Sequence, residues 1–181
     1  MRVLRTFFAT LLTVILVIGM VVGAYTVFPL KNVEDIRSIS REMGIDRYLV
    51  AALIKAESNF DESAISKADA KGLMQLTDET AMFCAEKMGM ELGEGDVYNP
   101  EINIRLGSFY LKRLLDMFDG NVDSAIAAYN AGEGRVKEWL GNKEYSSNGE
   151  ELDNIPYGET KRHVKKIAQY QKIYKLLYPE F

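Results

Sequence analysis

Residues 7–28, F-F-A-T-L-L-T-V-I-L-V-I-G-M-V-V-G-A-Y-T-V-F, form an uncharged run of 22 residues, and no other feature restricts the architecture as much. As a helix at ~1.5 Å per residue the run is about 33 Å long, enough to cross a hydrocarbon core of ~30 Å. It divides the chain into a short basic head over residues 1–6, a membrane-crossing helix over residues 7–28, and one domain of ordinary size over residues 32–181. Arg2 and Arg5 precede the run, whereas Glu34 and Asp35 follow soon after Lys31. This asymmetry places the head inside, in the cytoplasm, and the domain on the outer side of the membrane. Val22-Gly23-Ala24 offers a small-residue cleavage pattern, so secretion after removal of a signal peptide is the alternative; the length of the run favours a single-pass anchor. Gly19 and Gly23 have G-x-x-x-G spacing, a weak signal for helix pairing. Pro29 to Lys31 is too short for a flexible tether, so the domain is expected to stand close to the membrane surface.

The domain reads as helices. Asn32 is a candidate N-cap for a helix with the stripe Val33, Ile36, Ile39 and Met43 and a stop at Gly44. Asp46 caps the next helix. Asp78 is expected to cap another, with Ala81, Met82, Ala85 and Met88 inward and Gly89 closing it. Asn99-Pro100-Glu101 is a strong start, an N-cap followed by proline at the first helical position and an acid in the first turn; Ile102, Leu106, Phe109, Tyr110, Leu114 and Met117 continue that helix. Asp123 opens one with Ile126 and Tyr129 on one side and small Ala125, Ala127 and Ala128 allowing close contact. Gly132 and Gly134 break it, and a short helix with Val136, Trp139 and Leu140 follows. After the polar stretch Asn142 to Asn154, a helix from Thr160 to Tyr178 buries Val164, Ile167, Tyr174 and Leu177 and turns Lys161, Lys165, Lys166, Lys172 and Lys175 to solvent. No convincing strand or repeat interrupts this pattern, so the expected fold class is all-α.

Within that pattern one residue is out of place. In the segment L-V-A-A-L-I-K-A-E from Leu49, positions 50, 53, 54 and 57 follow the i, i+3, i+4, i+7 spacing of an inward stripe, and position 57 is a glutamate. Glu57 therefore points inward or into a cleft. No Lys or Arg stands three or four residues on, where Phe60 and Asp61 lie. A carboxyl partly withdrawn from water favours its protonated form, as a general acid requires; the bland reading is a salt bridge at the edge of the stripe.

The residues around it carry a resemblance. Glu57-Ser58, then Phe60, Ala64, Ser66 and Ala70, then Gly72-Leu73-Met74-Gln75, resemble the first signature of lytic transglycosylases with a lysozyme-like catalytic domain, the soluble-lytic-transglycosylase type. Ala128-Tyr129-Asn130-Ala131-Gly132 with Gly134-Arg135-Val136 is similar to their second motif, and Ile155-Pro156-Tyr157 with Glu159-Thr160 to their third. The match runs from about Asp46 to Tyr178. Departures fall at Glu62 and Lys67, where the family often has proline, at Asp69, where it has glycine, and at Thr77-Asp78. The resemblance implies a lysozyme-like, mainly helical domain, peptidoglycan glycan strands as substrate, and Glu57 as the catalytic residue. It also implies that Ser58, Ser66, Gln75, Tyr129, Asn130, Tyr157 and Glu159 line the glycan groove. Amides and hydroxyls suit the acetamido and hydroxyl groups of sugars, and tyrosine offers a flat apolar face with a polar tip. Each of these residues also has a structural use; Ser58, Asn130 and Thr160 can cap helix ends, and Tyr129 can be core.

Glycosidic cleavage needs an acid beside the leaving oxygen, and a hydrolase normally needs a second carboxylate. Asp61, Glu62 and Asp69 read as solvated loop residues. A transglycosylase avoids the need, because the sugar's own C6 hydroxyl attacks from within the substrate at high effective concentration. Glu57 then serves twice, as acid and as base, and the resemblance implies a 1,6-anhydromuramyl product. Hydrolysis with water positioned by Asp69 or another acid, and a non-catalytic wall-binding role, are the alternatives. A net charge of −4 with interspersed signs excludes a nucleic-acid surface. Cys84 stands alone and reads as a small buried hydrophobe. His163, alone in K-R-H-V-K-K, reads as structural; no metal or cofactor is implied.

Overall fold

The computed structural model describes residues 2–181. Its helices are α1 (Arg2–Val27), α2 (Val33–Met43), α3 (Arg47–Glu57), α4 (Asp78–Met88), α5 (Pro100–Met117), α6 (Val122–Ala131), α7 (Glu133–Leu140) and α8 (Gly158–Leu177). A short 3₁₀ turn at Asp96–Tyr98 precedes α5. Extended pairing among the described residues is confined to two isolated bridges, Ile65 with Lys71 and Lys71 with Leu76, which fold the loop after α3 back on itself.

The caps show why the elements begin where they do. Asp46 accepts from the Tyr48 N–H and Asn99 from the Ile102 N–H, with Pro100 opening α5. Thr77 rather than Asp78 caps α4, and Asn121 rather than Asp123 caps α6, each accepting from the N–H three residues on. Asn32 makes no cap bond and takes a left-handed φ of 51°. Met82 is exposed, because the inward face of α4 is set by Ala81, Cys84 and Ala85, and position 82 turns away from it.

α3 is enclosed rather than striped: Leu49, Val50, Ala51, Ala52, Leu53 and Ile54 are all buried. A helix apolar on every side belongs inside a bundle, and the small Ala51 and Ala52 let neighbours close over what would otherwise be its outer face. α8 packs along it, and α2 lies beside it. Both ends of α3 reach the surface, Arg47 and Tyr48 at the start and Lys55 to Glu57 at the finish, and the C-terminal turn ends on Glu57. A second apolar cluster, Leu76, Ala81, Cys84, Ala85 and Leu106, lies between α4 and α5. Tyr110 and Tyr129 pack against both clusters, so the loop after α3 and the Tyr129 turn of α6 lie at their junction.

The end of α1 is built into the same body. Phe28 and Leu30 pack on the main cluster. Tyr174 Oη donates to the Pro29 carbonyl at 2.8 Å, Tyr178 Oη to the Phe28 carbonyl at 2.7 Å, and Tyr25 Oη to the Leu177 carbonyl at 2.9 Å. Phe28 meets the rings of Tyr170 and Tyr174 edge-on, and Lys55 on α3 donates to the Val27 carbonyl. The rest of α1 stands clear, with its large apolar side chains exposed from Val3 to Val22. By length and composition α1 is apolar enough to cross a membrane.

Candidate active site

Glu57 is the last residue of α3, and its side chain is 17% exposed, between a buried helix and solvent. The carbonyls that a helix end leaves unpaired are met here by neighbours. Ser58 Oγ donates back to the Ile54 carbonyl at 3.2 Å, and Lys166 Nζ from α8 donates to the Ala56 carbonyl at 3.1 Å. Lys166, expected on the solvated face of α8, is half-buried for this reason: it caps α3 and puts a cation at the negative end of the helix dipole.

His163 is the partner that the sequence did not disclose. Its Nε2 lies 3.1 Å from Glu57 Oε1, and its side chain is 10% exposed. The N–H is not aimed at that oxygen, so the contact is close without being an in-line hydrogen bond, and Nε2 has no other partner among the described residues. The signal was present in the pattern. His163 shares the inward stripe of α8 with Thr160, Val164 and Ile167 and stands one turn after Glu159.

Tyr129 comes from α6. Its hydroxyl donates to the Met74 carbonyl at 2.8 Å. Burial first, and then the nearby Glu57 charge, push that hydroxyl well above the ordinary tyrosine value. Asn130, next along α6 and exposed, accepts from Thr160 Oγ1 at 2.8 Å and so joins the second motif to the third.

The loop from Ser58 to Thr77 faces these helices and is held from several sides. Gln75 takes a left-handed φ of 50°. Its Nε2 donates to the carbonyls of Ala64 (3.0 Å) and Gly72 (2.9 Å), so the amide braces the loop, while Oε1 has no donor among the described residues. Ser66 Oγ accepts from the N–H groups of Ala68 and Ala70 and likewise shapes its own turn. Asn103, fully buried on α5, holds the loop from beneath: Oδ1 accepts from the Met74 N–H at 2.7 Å, and Nδ2 donates to the carbonyls of Lys71 and Val97. Sequence reasoning passed over Asn103; a polar residue beside Ile102 and Ile104 on a core helix was its signal. At Gly72, φ +74°, a Cβ would lie 2.4 Å from Asn103 Nδ2, so only glycine fits.

Tyr157 and Glu159 open α8. The Tyr157 ring, 47% exposed, stands edge-on to Trp139 at 5.1 Å with the Arg135 guanidinium 5.6 Å from its centroid, an apolar platform fixed by α7. Glu159 is exposed in the first turn. Glu57, Tyr129, Asn130 and the Glu159–His163 turn are thus brought together. Among the described residues no hydrogen bond or ion pair joins Ser66 or Tyr157 to Glu57, and both are exposed. Asp69 is exposed and ion-paired to Lys71 at 3.2 Å.

A family model described as the transglycosylase SLT domain matches residues 34–151. The chain belongs to this family. It is 32% identical over 151 residues to the soluble lytic murein transglycosylase of Salmonella typhimurium, covering 82% of this chain and 23% of that protein. The corresponding protein of Escherichia coli K12 is 30% identical over the same span. Among solved structures, an inactive mutant of the lytic transglycosylase Slt from Pseudomonas aeruginosa superposes with a TM-score of 0.74 at 32% identity, covering 82% of this chain and 24% of that one. The 70 kDa soluble lytic transglycosylase of Escherichia coli, solved also in complex with bulgecin A, gives the same TM-score at 29% identity. The all-helical fold is therefore that of the lytic transglycosylases. This SLT chain spans about a quarter of the length of these relatives.

Proposed function

We propose that this SLT domain is a peptidoglycan lytic transglycosylase that cleaves the β-1,4 bond between N-acetylmuramic acid and N-acetylglucosamine, with Glu57 as general acid and then as base. The observation that carries the reading is the placement of Glu57: the terminal carboxyl of an enclosed helix, largely withdrawn from water, at the junction of the three motifs. The names of the relatives support the substrate class.

The leaving oxygen takes the proton of Glu57 as the glycosidic bond breaks. The resulting carboxylate takes the proton of the muramyl C6 hydroxyl as that oxygen closes on C1, giving a 1,6-anhydromuramyl end. One residue suffices because the nucleophile belongs to the substrate. Asp69, one acid that a water-using reaction could recruit, is engaged by Lys71 on an exposed loop. Ser58, Ser66, Gln75, Tyr129, Asn130, Tyr157 and Glu159 form the groove in this reading, with Gln75 and Ser66 also shaping its wall. α1 anchors the domain in the cytoplasmic membrane with the groove facing the wall.

Mass spectrometry of a peptidoglycan digest tests the reaction. Anhydromuramyl ends from the wild type, and loss of at least the 10²–10⁴-fold typical of positioned acid–base catalysis in a folded Glu57→Gln, are expected. Reducing muramic acid ends as the main product identify a hydrolase. Full activity of Glu57→Gln removes Glu57 from the chemistry.

A further inference from the structure

We propose that His163 is a positioning residue for Glu57, its Nε2 holding one carboxyl oxygen so that the other is presented to the glycosidic oxygen. The inference rests on the acid–base reading of Glu57 and adds a residue outside the sequence motifs.

The imidazole is nine-tenths buried, its Nε2 is 3.1 Å from Glu57 Oε1, and that nitrogen has no in-line partner elsewhere among the described residues. A buried ring N–H without a partner costs about 1–3 kcal/mol, so its place beside the carboxyl calls for a use. Catalytic hydrogen bonds are commonly misaligned before substrate binds and tighten in the complex. The backbone beneath is rigid. α8 is tied to α3 by Lys166 on the Ala56 carbonyl and to α6 by Thr160 on Asn130, so the imidazole and the carboxyl are held in one frame.

With the Nε2–H donating, Oε1 is the acceptor and the acidic proton sits on Oε2. Transfer of that proton to the leaving oxygen leaves a carboxylate whose charge at Oε1 meets the N–H. Oε2 then receives the proton of the attacking hydroxyl. Glu57 loses one proton and regains one, and His163 keeps its own throughout. The other charged or titratable groups on the packed elements are committed elsewhere or lie a turn away. Tyr129 on α6 is bonded to Met74, Lys55 on α3 to Asn59 and the Val27 carbonyl, and Lys166 to Ala56. Glu159 lies exposed one turn before His163.

The test uses the full chain in detergent and follows anhydromuramyl product for His163→Phe and His163→Gln. His163→Phe is expected to lower kcat about tenfold or more with KM nearly unchanged. It should also move the alkaline limb of kcat to higher pH, because a donor to the carboxylate has been removed. His163→Gln, with an amide N–H in reach of the same oxygen, should recover much of the rate and return the limb toward the wild type. A folded His163→Phe with wild-type kcat and limb overturns the assignment, as does activity that falls only with the folded fraction while the limb stays in place. If His163→Phe does not fold, His163→Met, likewise without a donor, is read for the same rate and limb with the same two outcomes. An inactive Glu57→Gln beside a normal His163→Phe sinks the histidine assignment alone, whereas an active Glu57→Gln sinks the reading beneath it.

Discussion

The Tyr129 hydroxyl donates to the backbone carbonyl of Met74 at 2.8 Å, tying α6 to the loop after α3 where the two apolar clusters meet. Tyr129→Phe keeps the ring and deletes the donor, leaving a buried carbonyl unpaired at a cost of about 1–3 kcal/mol. Thermal unfolding should show a fall in Tm of roughly 3–8 °C. Turnover of the folded fraction should drop about tenfold or more, since small misplacements around a reacting centre are expensive. Unchanged turnover would make Tyr129 a purely structural residue.

Gly72→Ala should be more harmful than its size suggests. The new Cβ would lie 2.4 Å from Asn103 Nδ2 and 2.8 Å from the Val97 carbonyl, on a backbone with φ +74°. Overpacking and left-handed strain together cost about 2–5 kcal/mol. Asn103→Ala should loosen the same loop by removing its buried bonds. Hydrogen exchange of the amides of residues 71–76 is the measurement; protection equal to the wild type in both variants would refute this account of the loop.

A fragment starting at Asn32 should be less stable than one starting at Tyr25. The longer fragment keeps Phe28 and Leu30 against the core and the carbonyls that accept from Tyr174 and Tyr178. Partial apolar burial of about 2 kcal/mol and two hydrogen bonds of about 1 kcal/mol each put the difference near 4 kcal/mol, or about 10 °C in Tm. Equal melting temperatures would show that residues 25–31 are dispensable.

Alkali should unfold the domain through its buried acids. Burial pushes the Cys84 thiol up to about 12 from an ordinary value of 9.0. Between those values the unfolded chain has lost the proton and the folded chain keeps it, so stability is intact below about pH 9 and falls as pH rises, by at most about 1.4 kcal/mol per pH unit for this group. Burial raises Tyr110 and Tyr129 in the same sense. Urea unfolding at pH 8, 9 and 10 should show the decline, less steep in Cys84→Ala. At pH 8 native Cys84, fully buried, should resist thiol alkylation until the chain unfolds.

Local chemistry made much of the fold legible: caps at Asp46 and Asn99, a glycine stop after Met43, and apolar spacing on α2, α5 and α8 are written in neighbouring residues. Glu57 was legible for the same reason, as a carboxylate on an apolar stripe. What the sequence hid depends on partners distant along the chain. His163 meets Glu57 across more than a hundred residues, and Asn103 reaches back to Met74. The enclosure of α3 was hidden likewise, because Ala51 and Ala52 are compatible with an outer face until another helix lies on them. Gln75 shows a different limit. Its residue type suits a sugar amide, and only the backbone around it reveals that one end of its amide is taken by the carbonyls of Ala64 and Gly72.

The aromatic seam between the end of α1 and α8 bears on how such an enzyme would meet its polymer. A free linker over residues 29–31 would let the domain wander about 10 Å. The bonds from Tyr174, Tyr178, Tyr25 and Lys55 remove that slack. Under the proposal that α1 crosses the bilayer, altitude and tilt of the groove would become properties of the protein. The molecule would then patrol a thin layer of constant height, and glycan strands would be selected by their distance from the lipid as well as by their chemistry.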